Sequence, residues 1–511
     1  MKSVFKHRRL HALAALLLLC LVLGSQFGPT RSLAGTLAQQ TVGGQSRFPT
    51  FLPIVMNGIR LQTYLPLVMK GGLIPESIFG WQMAAIRQDR RLTLAGEANV
   101  SWVRYTALPW AAIEPTPGER NWAAVADLEA QLLNAARLGT RVILVVHRTP
   151  GWAQKLPGVA CGPMTPETIP AFAAFMRDAV ARYSADPYRV RHWEIWNEPD
   201  VDPSLVDTTS VFGCWGDRSD EYYGGGYYAE MLKAVYPAVK AADPRSEVIV
   251  GGLLLDCDPR LPDSCLDPLP PKFLEGILQN GGAAAFDGLA FHAYDFFKNS
   301  PPVEVGLYAN RGFQAAYNTT GPVVIPKAQF VKQMLERYGV TGKYLMNTES
   351  ALICGAPVEP PGGPGCERSP DSAYEITKAY YVTEAYVSAA AEGLRANIWY
   401  SLEGWRNSGL VDSMRRGFEP RPGYQSFRFA RQELGDATFT RRLDEYADVL
   451  FGFEFARHDR RVWVLWSRDR TERAITLPLH PLAVYDPFGN SLPATNPLVV
   501  GVMPVYVELN P

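Results

Sequence analysis

From about residue 78 onward, short apolar runs alternate with longer stretches of helical period. The runs are Ile78 to Met83, Val100 to Tyr105, Arg141 to His147, His192 to Glu198, Glu247 to Leu255, Phe286 to Tyr294, Tyr344 to Glu349 and Ala396 to Ser401. Each is short and rich in β-branched or aromatic residues, the mark of a strand buried on both faces. Between them, apolar residues recur every three or four positions in Trp122 to Leu138, Ile169 to Tyr183, Tyr227 to Ala242, Phe273 to Leu278, Phe330 to Tyr338 and Ala373 to Ala391. Phe427 to Leu434 follows the eighth run. Strict strand and helix alternation requires parallel strands joined by crossover helices. Eight such units predict an α/β fold, a (β/α)8 TIM barrel with enlarged loops over residues 76–435.

After residue 436 the texture changes to short alternating runs, Val449 to Phe455, Arg461 to Trp466, Ala474 to Leu479, Leu482 to Asp486 and Val505 to Leu509, separated by turn signals such as Asp486-Pro-Phe-Gly489. A small C-terminal antiparallel β-sandwich over 436–511 is expected, its first strand coming from here or from elsewhere in the chain. At the other end, Lys2, Lys6, Arg8 and Arg9 precede an apolar stretch from Ala12 to Leu23, too short to span a bilayer comfortably. Residues 1–25 therefore read as a signal peptide or N-terminal anchor, and the protein as secreted or held at the cell surface. Residues 26–75 read as a linker of low order. Within it Thr50-Phe-Leu-Pro-Ile-Val-Met-Asn-Gly58 recurs as Thr63-Tyr-Leu-Pro-Leu-Val-Met-Lys-Gly71.

The composition is that of a globular protein, 47% hydrophobic and 20% charged over 511 residues, with a net charge of −1. No basic stripe offers the electrostatic drive for nucleic acid or an anionic membrane surface, so neither is expected as a partner. If Cys20 leaves with the leader, Cys161, Cys214, Cys257, Cys265, Cys354 and Cys366 remain. An even count in an exported chain favours disulfides. The local pairs Cys257 with Cys265 and Cys354 with Cys366 would leave Cys161 for Cys214, one of fifteen connectivities. No cysteine or histidine spacing suggests zinc, and no metal or other cofactor is expected.

A barrel of this kind gathers its working groups at the C-terminal ends of the strands. There the chain supplies Arg104, His147, Asn197 with Glu198, His292 with Tyr294, Glu349 and Trp399. Arg191-His-Trp-Glu-Ile-Trp-Asn-Glu-Pro199 stops an apolar run on an amide, a carboxylate and a proline that cannot extend a ladder. Lys343-Tyr-Leu-Met-Asn-Thr-Glu349 does the same on the seventh run. Two glutamates on separate strand ends are the minimum for hydrolysing a glycosidic bond, one as acid and base, the other as nucleophile. Strict alternation would point Asn197 and Glu198 to opposite faces, so the fourth strand must bulge or end there.

These residues resemble those of the retaining glycoside hydrolases of clan A, whose barrels carry an Asn-Glu pair on strand four and a nucleophilic Glu on strand seven. Within the clan the chain is most similar to family 39, which includes β-xylosidases and α-L-iduronidases, with family 5 second. Phe291-His-Ala-Tyr294 fits the clan's strand-six His-x-Tyr. Trp110 with Ile113-Glu-Pro-Thr-Pro-Gly118, and Thr149-Pro-Gly-Trp152, also fit, whereas the loops after strands four to seven are longer. The resemblance implies a secreted glycosidase acting on oligo- or polysaccharides by double displacement. Glu198 is then the acid/base and Glu349 the nucleophile, with a neighbouring anionic Glu349 in a partly dry pocket raising the pKa of Glu198. Asn197 would bind the sugar 2-hydroxyl, Tyr294 would hold Glu349, His292 would bind substrate or join the same network, and Arg104, His147 and Trp110 would line the substrate site, Arg104 fixing the nucleophile electrostatically. Trp399 would stack on the sugar ring, and Glu194 would lie deeper as a paired structural acid. The competing readings are a carbohydrate-binding protein on an inactive scaffold, a transglycosylase using the same residues, and a metal-dependent hydrolase hinted at by His192-Trp-Glu194.

Overall fold

The structure, a computed structural model, describes residues 73–298, 304–317, 320–354 and 372–511. The expected leader, most of the expected linker with both repeated segments, and Cys366 lie outside the described residues. Eight parallel strands alternate with helices: β1 (Phe79–Gln82), α1 (Arg90–Glu97), β2 (Trp102–Pro109), α2 (Ala126–Leu138), β3 (Arg141–His147), α3 (Ile169–Tyr183), β4 (His192–Asn197) and α4 (Gly225–Ala242). They continue with β5 (Glu247–Leu253), α5 (Lys272–Gln279), β6 (Gly288–Phe297), α6 (Val324–Arg337), β7 (Tyr344–Cys354), α7 (Ser372–Ala391), β8 (Ala396–Trp399) and α8 (Pro422–Leu434). The strands pair in the order β5-β4-β3-β2-β1-β8-β7-β6, and a β5–β6 pairing closes the cylinder. This is the (β/α)8 barrel the alternation predicted.

The barrel interior is filled by side chains, as closure of eight strands demands. Trp102, Ile143, Ile249, Ala290, Met346, Ala396 and Ile398 form one buried layer inside it. Gly80 on β1 makes room for that layer, since a Cβ there would meet Ile398 at 2.4 Å and Trp102 at 2.7 Å. The helices pack their apolar faces on the outside.

Two parts of the barrel depart from the pattern reading. Helix α1 went unread because its sequence, Arg90-Arg-Leu-Thr-Leu-Ala-Gly-Glu97, has almost no apolar stripe. Its signal was the N-cap, where the Asp89 carboxylate accepts the Arg91 amide N–H at 2.9 Å. Strands β6 and β7 also run past the expected ends at Tyr294 and Glu349. They stay paired up to Phe297 opposite Cys354, forming a ribbon that rises from the mouth.

After α8 come two antiparallel sheets. The larger orders β9 (Thr438–Arg442), β10 (Leu450–Ala456), β11 (Arg461–Ser467), β16 (Val505–Leu509), β13 (Ala483–Tyr485) and β14 (Ser491–Leu492); the smaller pairs β12 (Arg473–Ile475) with β15 (Leu498–Val500). Trp463, Leu465, Val505 and Val507 face Ile475, Leu498 and Val500 in the sandwich core. The alternate residues, Phe451, Phe453, Phe455, Val462, Val464 and Trp466, join the core of the barrel. Strand β9 came unannounced because Phe439 is its only apolar residue.

Two disulfides tie the loops above the mouth, Cys161–Cys214 and Cys257–Cys265. Cys354 is also disulfide-bonded.

Candidate active site

Strand β4 ends by breaking its own alternation. Trp196 and Glu198 both have left-handed backbone, with φ of 72° and 47°, a conformation costing a non-glycine residue on the order of 1–3 kcal/mol. Asn197 stays paired with Gly252 of β5, and Glu198 follows at the strand's mouth. The buried Trp196 anchors the turn, its indole N–H donating to the Cys161 carbonyl at 2.8 Å. The disulfide from Cys161 to Cys214 therefore braces the segment that presents Glu198.

On β7 a register shift beside Phe291 and His292 brings Glu349 opposite His292. His292 stands between the two acids: its Nδ1 lies 2.8 Å from Glu198 Oε1 and 3.4 Å from Glu349 Oε2. Each of the three residues offers an atom within 4.8 Å of the others. The two glutamates, far apart in sequence, thus face each other across a gap of sugar-atom dimensions. The imidazole fits only because position 252 is glycine, where a Cβ would come within 2.0 Å of Nε2.

Arg104 of β2 organises this group. Its five N–H donors meet five bonds: two to Glu194 (3.0 and 2.7 Å), and one each to Asn197 Oδ1 (2.6 Å), Gln82 Oε1 (2.7 Å) and Glu349 Oε1 (2.5 Å). Arg104 is fully buried, so contact with substrate is corrected, whereas its expected electrostatic hold on Glu349 is present. With every donor used inside the protein, it supports Glu349, Asn197 and Glu194. Glu194 is the buried, paired acid expected at that position. The Tyr294 hydroxyl donates to the other oxygen of Glu349, leaving that carboxylate gripped from two sides.

Burial is the main influence on the protonation of Glu198, raising it from 4.5 to about 7. Arg104 and Lys327 pull the other way, and Glu194 adds to the rise. Of the two causes the sequence suggested, the dry pocket leads, and the Glu349 charge is not among the main ones. Burial likewise pushes His292 down to about 4 and His147 to about 3, so both imidazoles are neutral in ordinary buffers.

His147 has no hydrogen-bond partner for either ring nitrogen among the described residues. It lines a cavity of about 490 Å³ with Thr106, Ala107, Pro109, Ala111, Ala112 and Arg148, at the ends of β2 and β3. The two tryptophans assigned to substrate are elsewhere. Trp110 is fully buried against Trp152, ring centroids 5.4 Å apart, with its N–H on Glu114. Trp399 is fully buried too, its N–H donating to the Ser408 carbonyl at 2.9 Å. Neither has a face for a sugar. A register shift between Asn397 and Trp399 turns Trp399 into the core. The aromatic rings at the mouth are Tyr294, Tyr400 and Trp405, in edge-to-face contacts of 6.0 to 6.4 Å, with Trp405 49% exposed. Tyr400 directly follows the tryptophan the sequence pointed to, and Trp405 lies in the loop beyond.

Glu198, His292 and Glu349 also have the spacing of a metal-ligand set. Arg104 already sets a cation against Glu349, however, and a divalent ion there would meet like charge. The group is better suited to proton transfer and nucleophilic attack. It offers one acid that keeps its proton to about pH 7 and, opposite, one carboxylate held in a fixed rotamer.

No protein-family model and no curated protein matches the sequence. Solved structures share the fold. A family 39 glycoside hydrolase from the gut symbiont Bacteroides cellulosilyticus WH2 aligns with a TM-score of 0.61 at 20% identity, over 85% of this chain and 81% of its own. A family 30 subfamily 8 xylanase from Clostridium acetobutylicum aligns at 0.55 and 12% identity, over 87% and 98%. A monomeric β-xylosidase from Caulobacter crescentus CB15 aligns at 0.50 and 15%, over 87% and 98%. The likeness to family 39 read from the motifs extends to the architecture.

Proposed function

We propose that the protein is a retaining glycoside hydrolase that cleaves O-glycosidic bonds of oligo- or polysaccharides. The observation that carries this reading is the approach of Glu198 and Glu349 to within 4.8 Å across the barrel mouth. Retaining enzymes hold their carboxyl groups about 5–5.5 Å apart, whereas inverting ones leave room for a water between them. The glycoside hydrolases that share the fold support the same reading.

In the first step a Glu349 oxygen attacks the anomeric carbon while the bond to the leaving oxygen breaks. Glu198 gives that oxygen its proton. In the second step water attacks the same carbon, Glu198 takes the water's proton, and the bond to Glu349 breaks. The Nδ2 of Asn197, whose oxygen is fixed by Arg104, has no partner among the described residues and is available to a sugar hydroxyl. His147, whose ring nitrogens have no partner among the described residues, is a further buried donor and acceptor for substrate. The disulfides and the N-terminal pattern support export of the protein.

The test is Glu349→Ala with azide. An aryl glycoside turned over by the unmodified protein should resist the variant, and azide should restore release of the aglycone. The glycosyl azide formed should have the configuration opposite to that of the retained product. Wild-type turnover in both Glu198→Gln and Glu349→Gln would overturn the assignment.

A further inference from the structure

Behind Glu198 lies a charge that the reaction does not use. Lys327, on α6, is 4% exposed and cannot reach substrate. Its ammonium donates to the carbonyls of Leu254, just past β5, at 2.7 Å and of His292, on β6, at 2.8 Å. The Phe313 ring lies 5.2 Å away. Among the described residues no carboxylate is in direct ion-pair contact with it, although Asp200, Asp256, Asp295 and Glu198 surround it at longer range. Leu254 is held at both ends, because the Asp200 carboxylate accepts its N–H at 2.9 Å and that of Leu255 at 3.0 Å. Asp200 sits two residues after Glu198. One frame thus joins the turn bearing Glu198, the end of β5, and the strand bearing His292.

A neutral donor could bridge two carbonyls, and burying an ammonium without a contact partner is costly. The charge itself therefore needs a reason. Glu198 must lose its proton when the leaving group departs and regain one from water, all in a site poor in solvent. The groups facing it are Arg104 from β2, Glu194 from its own strand, His292 and Tyr294 from β6, Glu349 from β7, Tyr400 after β8, Asp200, and Lys327. Arg104 is committed to Glu194 and Glu349, and His292 is neutral. Arg104 and Lys327 are thus the two cations acting on Glu198, and of these Lys327 is the one with no carboxylate in contact among the described residues.

We propose that Lys327 is a positioning residue for the acid/base: its buried ammonium clamps the backbone carrying His292 and, alongside Arg104, adds counter-charge behind Glu198 that favours the anionic form. The proposal rests on the reading of Glu198 as acid/base.

The test is the pH dependence of kcat/KM in Lys327→Gln, which keeps an N–H donor and drops the charge. Without the opposing charge, Glu198 should hold its proton more tightly, and the alkaline limb should move up by about half a pH unit or more. Simple loosening of the site would admit water and move the limb down. Lys327→Arg should restore the wild-type limb. A limb in Lys327→Gln that stays put or moves down would overturn the proposal. Should that variant not fold, 15N-lysine spectra of the unmodified protein provide the second measurement. An ammonium protected from exchange and missing from Lys327→Arg is expected, and the lack of any such signal would refute a buried charged Lys327. This measurement needs no turnover, so it stands apart from a failure of the glycosidase reading, which absent hydrolysis in the unmodified protein would reveal.

Discussion

Glu198→Gln should make the protein more stable at alkaline pH and nearly leave it unchanged in acid. The folded-state pKa of Glu198 is raised from 4.5 to about 7. A raised pKa means that the folded protein holds the proton more tightly than the unfolded chain does. The stability from this group is therefore fully present below about pH 4.5 and is lost as pH rises through about 7. A difference of about 2.5 units corresponds to about 3 kcal/mol, most of it lost by pH 8.5 and less than about 1 kcal/mol lost at pH 5. The amide has no proton to lose and keeps the shape of the side chain beside His292. Urea denaturation of both proteins at pH 5 and 8.5 measures the gain at each. A gain of about 2–3 kcal/mol appearing only at the higher pH is expected. An equal gain at both pH values, or a loss at 8.5, would refute the argument that burial holds the proton on Glu198.

Tyr294→Phe removes one donor from Glu349 while Arg104 remains. A hydrogen bond to a charged group contributes about 1.5–3 kcal/mol, so kcat/KM on an aryl glycoside should fall about ten- to hundredfold with the fold unchanged by circular dichroism. The two aromatic positions should separate cleanly. Trp399→Ala should cost about 3–5 kcal/mol in denaturant unfolding as a core truncation, whereas Trp405→Ala should spare stability and raise KM for oligosaccharides. Replacing Cys161 and Cys214 by serine opens a loop spanning 53 residues. That should lower unfolding free energy by about 4 kcal/mol and disturb the Glu198 turn, seen as a loss of kcat.

The barrel was legible because parallel strands buried on both faces leave continuous apolar runs, and the helices between them keep their period. The juxtaposition of Glu198 and Glu349 was legible for a related reason: a buried run that ends in a carboxylate has few places to put it except the mouth. What escaped the sequence depends on register and on partners from other strands. Trp399 and Tyr400 are adjacent in the text, and only the irregular pairing beside Asn397 decides which one the core takes. The hold of Arg104 on Glu349 was read from the sequence, but its full commitment was not, because its five acceptor atoms come from Gln82, Glu194, Asn197 and Glu349, scattered over three strands. Lys327 gave no signal at all, being one lysine on an amphipathic helix whose neighbours belong to three other elements.

The larger C-terminal sheet sends alternate residues in opposite directions, and its aromatic face, with Phe451, Phe453 and Trp466, belongs to the same core as the barrel. The Tyr506 hydroxyl adds a bond to Thr383 on α7 at 3.0 Å. A protein built this way is not modular in the manner of an enzyme with a tethered accessory unit. Truncation near residue 435 would strip the cover from α7 and α8 and leave an oily wall facing water. Anyone shortening the chain for expression, or grafting the barrel into a fusion, should carry the last strand along.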